Sequence, residues 1–266
     1  MKYILLVLFF TLTLFGNTMH FSVSEVDEEN QTIQIESPQK LDVGVSGFVV
    51  HHITPQHASV LKNVAVIGYD EVTHSALLKM SPFTILRNNA LPSGKWKVQK
   101  GDTVELAFAY DRALLIAPSE EIYHNISKAV SIEWVHPDLF ATILSFKGHP
   151  TPLKSDFEAM SIATNTGLLY IFLNKKLYTL DMQTFKILAI NDAPFEQTKA
   201  KLPFYSRISK IEAAWFGEGS DEMQSYEPHY YELMVQHNKK NKALYEIIKE
   251  HNYTDLLTQF TLGNEK

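Results

Sequence analysis

The sequence predicts an α+β protein, with a small antiparallel β barrel or sandwich followed by a mixed α+β module. Short stretches of alternating apolar and polar residues, separated by turn residues, occupy the first half of the chain. Helical apolar spacing with capping residues begins after Pro118. Apolar residues make up 45% of the 266 residues, enough for a sizeable core. We expect a signal peptide over residues 1–18, a β-rich module over 19–117 and an α+β module over 118–266, ending in helices and a short polar tail.

The N-terminal segment has the order of a secretory signal peptide. Lys2 precedes an apolar run from Tyr3 to Phe15, and small or polar residues follow. The run is shorter than the about 20 residues that a membrane-spanning helix needs. An uncleaved anchor and a buried helix are the alternatives, because an Ala-x-Ala cleavage pattern is missing. We expect export to the cell surface or periplasm, with membrane contact only through an uncleaved leader, if at all.

The first half of the chain contains several hairpin patterns. Alternating strands are predicted on both sides of Asn30 and again on both sides of Asp70. The stretch DVGVSGFVVHHI carries Gly44 and Gly47, and glycines inside a strand indicate a bulge or a sharp bend. Gly101 begins the turn of a further predicted hairpin.

The second half mixes helix and strand signals. Ser119 is a candidate N-cap, and the next helix is predicted to run from Pro137 to Gly148. Ser155 and Glu158 have capping-box spacing. One strand is predicted in SIEWV and another in SRISKIEAAWF, and several strands are predicted in LLYIFLNKKLYTLDMQTFKILAI. From Pro228 onward the sequence predicts helices with one or more breaks.

Composition and motifs exclude several functions. The 24 basic residues against 30 acidic ones argue against nucleic acid as a partner. The chain has no cysteine, which excludes thiol chemistry, cysteine-based zinc sites and lipid attachment at cysteine. His51, His52 and His57 are close in sequence, but adjacent strand residues point to opposite faces and cannot hold one ion together. We predict no cofactor and no metal.

Two N-x-T stretches are candidate modification sites. Asn30 and Asn252 each carry an acidic residue two positions earlier, Glu28 and Glu250. This spacing resembles the extended acceptor site of bacterial N-glycosylation systems. A hairpin turn explains Asn30 equally well without a sugar.

The chain resembles a known family over most of its length. The stretches that carry the resemblance are HFSVSEVDEENQTIQIESPQKLDVGVSGFVVHHI, IGYDEVTHSALLKMSPF, LPSGKWKVQKGDTVELAFAYDRALLIAPS and SIEWVHPDLFATILSFKGHPTP. They are similar to the N-terminal domain of plasminogen-binding surface proteins of spiral Gram-negative bacteria. The resemblance implies capture of host plasminogen, with a C-terminal lysine as a contact. The matching residue here is Lys266.

A C-terminal lysine suits the kringle modules of plasminogen for a physical reason. It presents an ammonium and a carboxylate together, whereas an internal lysine needs a neighbouring acidic residue to supply the second charge. Lys239, Lys240 and Lys242 are the best internal supplement. Their ordinary explanation is a solvated break between two helices.

We therefore expect a non-enzymatic protein that binds plasminogen, chiefly through Lys266. One alternative is a periplasmic envelope protein with a housekeeping role, for which plasminogen binding is incidental. Another is a hydrolase, because catalytic residues can assemble from distant loops even when no local motif announces them.

Overall fold

The computed structural model describes residues 18–83 and 96–262. The predicted leader therefore lies outside the described residues except for Thr18. No helix within the two described ranges has both the length and the apolar character needed to cross a membrane.

Six antiparallel strands form a closed barrel in the order β1-β2-β5-β4-β3-β6, with β6 pairing back to β1. Inward-facing apolar residues alternate along these strands, as at Ile33 and Ile35 in β2. Closure leaves no unpaired sheet edge. The strands are β1 (Met19–Asp27), β2 (Thr32–Glu36), β3 (Ser46–Thr54), β4 (His57–Asp70), β5 (Ser75–Pro82) and β6 (Thr103–Leu106).

Gly47 shows why the predicted bend requires glycine. It lies where β3 crosses close to β6, and a Cβ at this position would approach the carbonyl oxygen of Glu105 to 1.9 Å. Only glycine lets the two strands come this close.

A five-stranded mixed sheet follows, in the order β11-β10-β9-β7-β8. Its strands are β7 (Arg112–Ile116), β8 (Glu133–Val135), β9 (Leu168–Leu173), β10 (Lys176–Asp181) and β11 (Ile187–Asp192). Strand β7 is parallel to both of its neighbours, and the remaining pairs are antiparallel. The predicted α+β class, with an antiparallel barrel first, is confirmed. Strand β7 precedes residue 117 yet belongs to this second sheet, so the domain division at that residue stays a prediction.

Strand β9 explains the continuous apolar run LLYIFL. Leu168, Tyr170 and Phe172 face the core shared with the barrel, whereas the three alternate leucine and isoleucine residues face the helices. All six residues are buried because both faces of the sheet are covered.

The described part of the chain also contains six helices: α1 (Glu120–Ala129), α2 (Pro137–Lys147), α3 (Lys154–Thr164), α4 (Tyr226–His237), α5 (Lys242–Glu250) and α6 (Thr254–Leu257). Helix α1 packs on the barrel side of the sheet, and α2 to α5 pack on the opposite side. The predicted N-cap at Ser119 is confirmed, as are the predicted start of α2 at Pro137 and its end at Gly148.

Two local expectations are wrong. Helix α3 does not use Ser155 as its N-cap; it begins at Lys154, and the buried Asp156 carboxylate accepts a 2.8 Å hydrogen bond from the backbone N–H of Leu153. The stretch SRISKIEAAWF forms no strand. Its backbone bonds instead to helix α2, through Arg207 N–H to Asp138 at 2.7 Å and Ala214 N–H to Gly148 at 2.8 Å.

The carboxylate of Asp181 joins the barrel to the sheet. Its Oδ2 accepts hydrogen bonds from the backbone N–H of Ser46 at 3.0 Å, the Ser46 hydroxyl at 2.5 Å and the Tyr110 hydroxyl at 2.5 Å. Its Oδ1 accepts from the backbone N–H groups of Gln183 and Thr184 at 2.9 and 2.6 Å. The side chain is fully buried, so these donors replace its lost hydration. Burial, and then the nearby Asp181 charge, raise the pKa of Tyr110 well above its usual value, which keeps its phenol a donor.

Replacing Asp181 with asparagine should destabilise the protein strongly. In either orientation the new NH₂ group would face a donor, since both oxygens accept backbone N–H bonds. We expect the free energy of unfolding, measured by urea titration, to fall by about 2–4 kcal/mol. The matched control is Asp192→Asn, whose carboxylate is exposed and pairs with Lys176; there we expect a loss of about 1 kcal/mol or less. Equal losses in the two variants would contradict this account of the junction.

Stability should also fall on acidification because of His229 in α4. Its Nε2 donates to the carbonyl of Pro152 at 3.0 Å, and burial lowers the pKa of the imidazole. In the unfolded chain the His229 imidazole takes up a proton near pH 6.5, whereas in the folded chain it takes up this proton only at lower pH. The free energy of unfolding therefore decreases as pH falls from about 6.5 towards the pKa that His229 has in the folded protein. His229→Gln keeps a donor but does not titrate. We expect this variant to show a smaller drop in Tm between neutral and mildly acidic pH than the exposed control His57→Gln; identical drops would refute the assignment.

Candidate functional site

Lys239 and Lys240 lie in the turn between α4 and α5, and Lys242 is the first residue of α5. All three side chains are exposed. The helical region is thus interrupted at the three lysines, as predicted. The positive charge of Lys242 lies at the positive N-terminal end of the α5 dipole, which is unfavourable, whereas Lys239 and Lys240 lie outside that helix.

The turn is held by the buried side chain of Asn238. Its Nδ2 donates to the carbonyls of Phe185 and Met234 at 3.0 and 2.8 Å, and its Oδ1 accepts from the backbone N–H of Ile187 at 2.9 Å. Asn241 then caps α5 by accepting from Leu244 N–H at 2.9 Å. Two exposed ammonium groups therefore extend from a backbone that is fixed to the sheet.

A groove of about 500 Å³ opens beside this turn. We call it the lysine groove; it is bordered by Val43, Lys186, His237, Lys239, Lys240 and Thr261. Lys186 is half-buried and donates to the carbonyl of His237. Burial, and then the charge of Lys240, lower the pKa of Lys186. None of the described residues that border the groove is acidic, and three of them are lysines, so this part of the surface is electropositive.

The end of the described chain is attached to the same turn. The backbone N–H of Thr261 donates to the carbonyl of Lys239 at 2.9 Å, and Phe260 packs edge-on against Tyr245 at 5.3 Å. Lys266 itself lies outside the described residues. The chain beyond Thr261 therefore starts from the border of the lysine groove.

Lys239 and Lys240 differ from several other surface lysines in their pairing. Lys40, Lys97 and Lys175 each form an ion pair of 2.7–2.8 Å with a glutamate. Within the described ranges, Lys239 and Lys240 form no ion pair. Binding a carboxylate with either residue would therefore break no existing salt bridge.

The two candidate modification sites lie apart from this groove and from each other. Asn30 is exposed in the β1–β2 turn, where its Nδ2 and backbone N–H donate to the Asp27 carboxylate at 2.7 and 2.9 Å. These bonds lower the pKa of Asp27. Asn252 is exposed in the turn between α5 and α6, with a φ of 59°.

The histidines of the β3–β4 hairpin do not come together. The Nδ1 of His51 donates to the Asp102 carboxylate at 2.7 Å and its ring stacks near Trp96, whereas His52 and His57 are exposed. Over residues 18–83 and 96–262, no three histidine or acidic side chains are grouped to hold a metal ion.

A second histidine–aspartate pair joins His149 to Asp156 at 3.0 Å. In the part of the chain that the structure describes, no serine or threonine hydroxyl is hydrogen-bonded to His51 or His149. These pairs therefore form no nucleophile–histidine–aspartate relay, and the predicted hydrolase alternative gains no support from them.

Sequence reasoning missed Lys186 and Asn238. Nothing near Lys186 in sequence indicated a site, because its groove partners are about fifty positions away. Asn238 stands directly before the lysines in HNKKN, and its position after a helix was the only available signal.

The chain matches the family model described as the N-terminal region of plasminogen-binding protein PgbA over residues 18–234. Two similar curated proteins are named plasminogen-binding protein PgbA, from Helicobacter pylori strains J99 and 26695. The first is 27% identical over 233 residues, covering 86% of this chain and 50% of the relative. The second is 26% identical over 230 residues, covering 85% and 49%. The chain thus spans about half the length of these relatives. No solved structure matches.

Proposed function

The chain belongs to the family of plasminogen-binding protein PgbA N-terminal domains, and we propose that it is an exported, non-enzymatic protein that binds host plasminogen through lysine-type ligands. The family membership supports the partner. The observation that supports the mode of binding is the lysine groove, where Lys239 and Lys240 present ammonium groups that form no ion pair with any residue the structure describes.

In a chain whose last residue is Lys266, that residue is the chief contact in this proposal. A kringle lysine site takes an ammonium at one end and a carboxylate at the other, and the aliphatic stem packs between them. Among the residues described at the groove, none is acidic, so Lys239 and Lys240 have no neighbour there that could stand in for the carboxylate. They therefore act as secondary contacts.

One lysine alone should bind weakly, on the order of micromolar or poorer, because a single side chain buries little surface. Thr261 is tied to Lys239. A five-residue segment spans at most about 18 Å. Lys266 and the turn lysines can therefore engage neighbouring sites of one multi-kringle partner, and such multivalency raises the overall affinity.

Plasminogen binding by purified variants tests this proposal. Removing Lys266 should weaken binding by tenfold or more, and Lys239→Ala/Lys240→Ala should weaken it by about three- to tenfold. Lys266→Arg should also weaken it, because a planar guanidinium fits an ammonium site poorly. The matched control is Lys100→Ala/Lys128→Ala, which removes the same charge from two other exposed lysines. Free lysine analogues should compete, and added salt should weaken binding gradually.

Two results would count against this mechanism. Equal losses in the two double variants would show that only net charge matters. Binding that lysine analogues leave unchanged would exclude the kringle contact and favour the periplasmic housekeeping function.

We also propose export with removal of a leader near residues 17–20, and glycosylation at Asn30 and Asn252. Both asparagines are exposed in turns, where a transferase has access. Mass spectrometry of the protein from its own host should find the new N-terminus and both glycopeptides.

Protease treatment of intact cells distinguishes a protein on the cell surface, which is digested, from one in the periplasm, which is protected. An intact Met1 on a soluble, cytoplasmic protein would overturn export, and unmodified peptides at both asparagines in a host that glycosylates other proteins would overturn the modification.

A further inference from the structure

A second cavity, of about 340 Å³, lies between the barrel and helix α3. We call it the inter-sheet cleft. Its walls come from β3 and β4, from the segment after β6, from α3 and from the β10–β11 turn. Its volume lies near the lower end of the range of about 300–1,000 Å³ that is typical of small-molecule sites.

The cleft carries no net charge. Among the described residues that line it, the only charged ones are Lys154 and Glu158, which pair with each other on successive turns of α3. A phosphate or carboxylate ligand would have to compete with this ion pair. The electrostatics therefore favour a neutral ligand.

The ring of Phe108 lies at the mouth of the cleft, between two residues with an unusual backbone conformation. Phe108 is 42% exposed and packs edge-on against Phe48 at 5.4 Å. Its neighbours Ala107 and Ala109 have φ angles of 56° and 57°. Alanine disfavours this left-handed region, and such strain concentrates at functional sites. The backbone is held there by Gly167, whose N–H donates to the carbonyl of Ala109 at 2.9 Å.

Three amide side chains line the same cleft: those of Asn63, Asn165 and Gln183. Gln183 donates its Nε2 to the Ser161 hydroxyl at 2.9 Å, so its Oε1 stays available as an acceptor. Asn63 donates to the carbonyl of Pro82 at 3.1 Å, which likewise leaves its Oδ1. Asn165 is exposed at the C-terminal end of α3. The cleft thus combines one apolar ring face with several uncharged acceptors and donors.

We propose that the inter-sheet cleft binds a small neutral saccharide. A sugar ring has an apolar C–H face that can lie on Phe108 and hydroxyl groups that can donate to Gln183 and Asn63. A purely apolar ligand would leave the side-chain oxygens of Gln183 and Asn63 without hydrogen-bond donors, which costs free energy. This site is separate from the lysine groove and does not depend on plasminogen binding.

Saturation-transfer NMR with the full chain tests the site, using N-acetylglucosamine and lactose as probes. We expect transfer from the wild-type protein to ring protons of at least one probe. Phe108→Ala and Gln183→Ala should each weaken binding about fivefold or more, whereas Phe108→Trp should retain it. The matched control is Phe146→Ala, which removes another exposed phenylalanine, on α2.

The thermal unfolding midpoint of each variant shows whether it folds. If Phe108→Ala does not fold, Gln183→Ala carries the test, because it removes only one part-buried side-chain hydrogen bond, to Ser161. No transfer to either probe from the wild-type protein would overturn the proposal. Equal affinity in the cleft variants and in Phe146→Ala would overturn it as well.

Discussion

Asp181 joins the two sheets through one buried carboxylate, which accepts bonds from Ser46 in the barrel, from Tyr110 between the sheets and from the turn that it begins. A buried charge is tolerated only when its oxygens are fully hydrogen-bonded. A shift of the barrel along the sheet would remove Ser46 and leave part of that charge unsatisfied. The placement of the barrel against the sheet is thereby restricted to one arrangement.

The lysine groove and the inter-sheet cleft lie on the two sides of this junction. Before Ser46, Gly44 approaches Lys186 so closely that a Cβ would lie 2.2 Å from the Lys186 Cβ. This contact brings Val43 of the barrel to the groove. After Ser46, Phe48 lines the cleft. Each surface therefore combines residues from the barrel half of the chain with residues from the half that carries the second sheet and its helices, and neither half alone would form it.

The lysine groove combines exposed lysine side chains with a backbone that is hydrogen-bonded to the sheet. The buried Asn238 ties the α4–α5 turn to β11, while Lys239 and Lys240 remain exposed. Fixing the backbone beforehand reduces the entropy lost on binding, and only the side chains remain to be ordered. The family match ends at residue 234, so the turn lies beyond it, whereas Lys186 lies within it. The groove joins a part of the chain shared with the family to a part outside the match.

The sequence alone determined the class of each element where local physics decides it. Alternation predicted the barrel hairpins, and Ser119, Pro137 and Gly148 predicted helix ends, because caps and turns depend on neighbouring residues. The strand predicted in SRISKIEAAWF was wrong because its backbone groups find partners on α2 that no local pattern reveals. Only the tertiary structure decided that β7 joins the second sheet, that Asp181 meets Ser46 and that Lys186 borders the lysine turn. These contacts link residues far apart in sequence, and they form because buried polar groups must find partners wherever the folded chain supplies them.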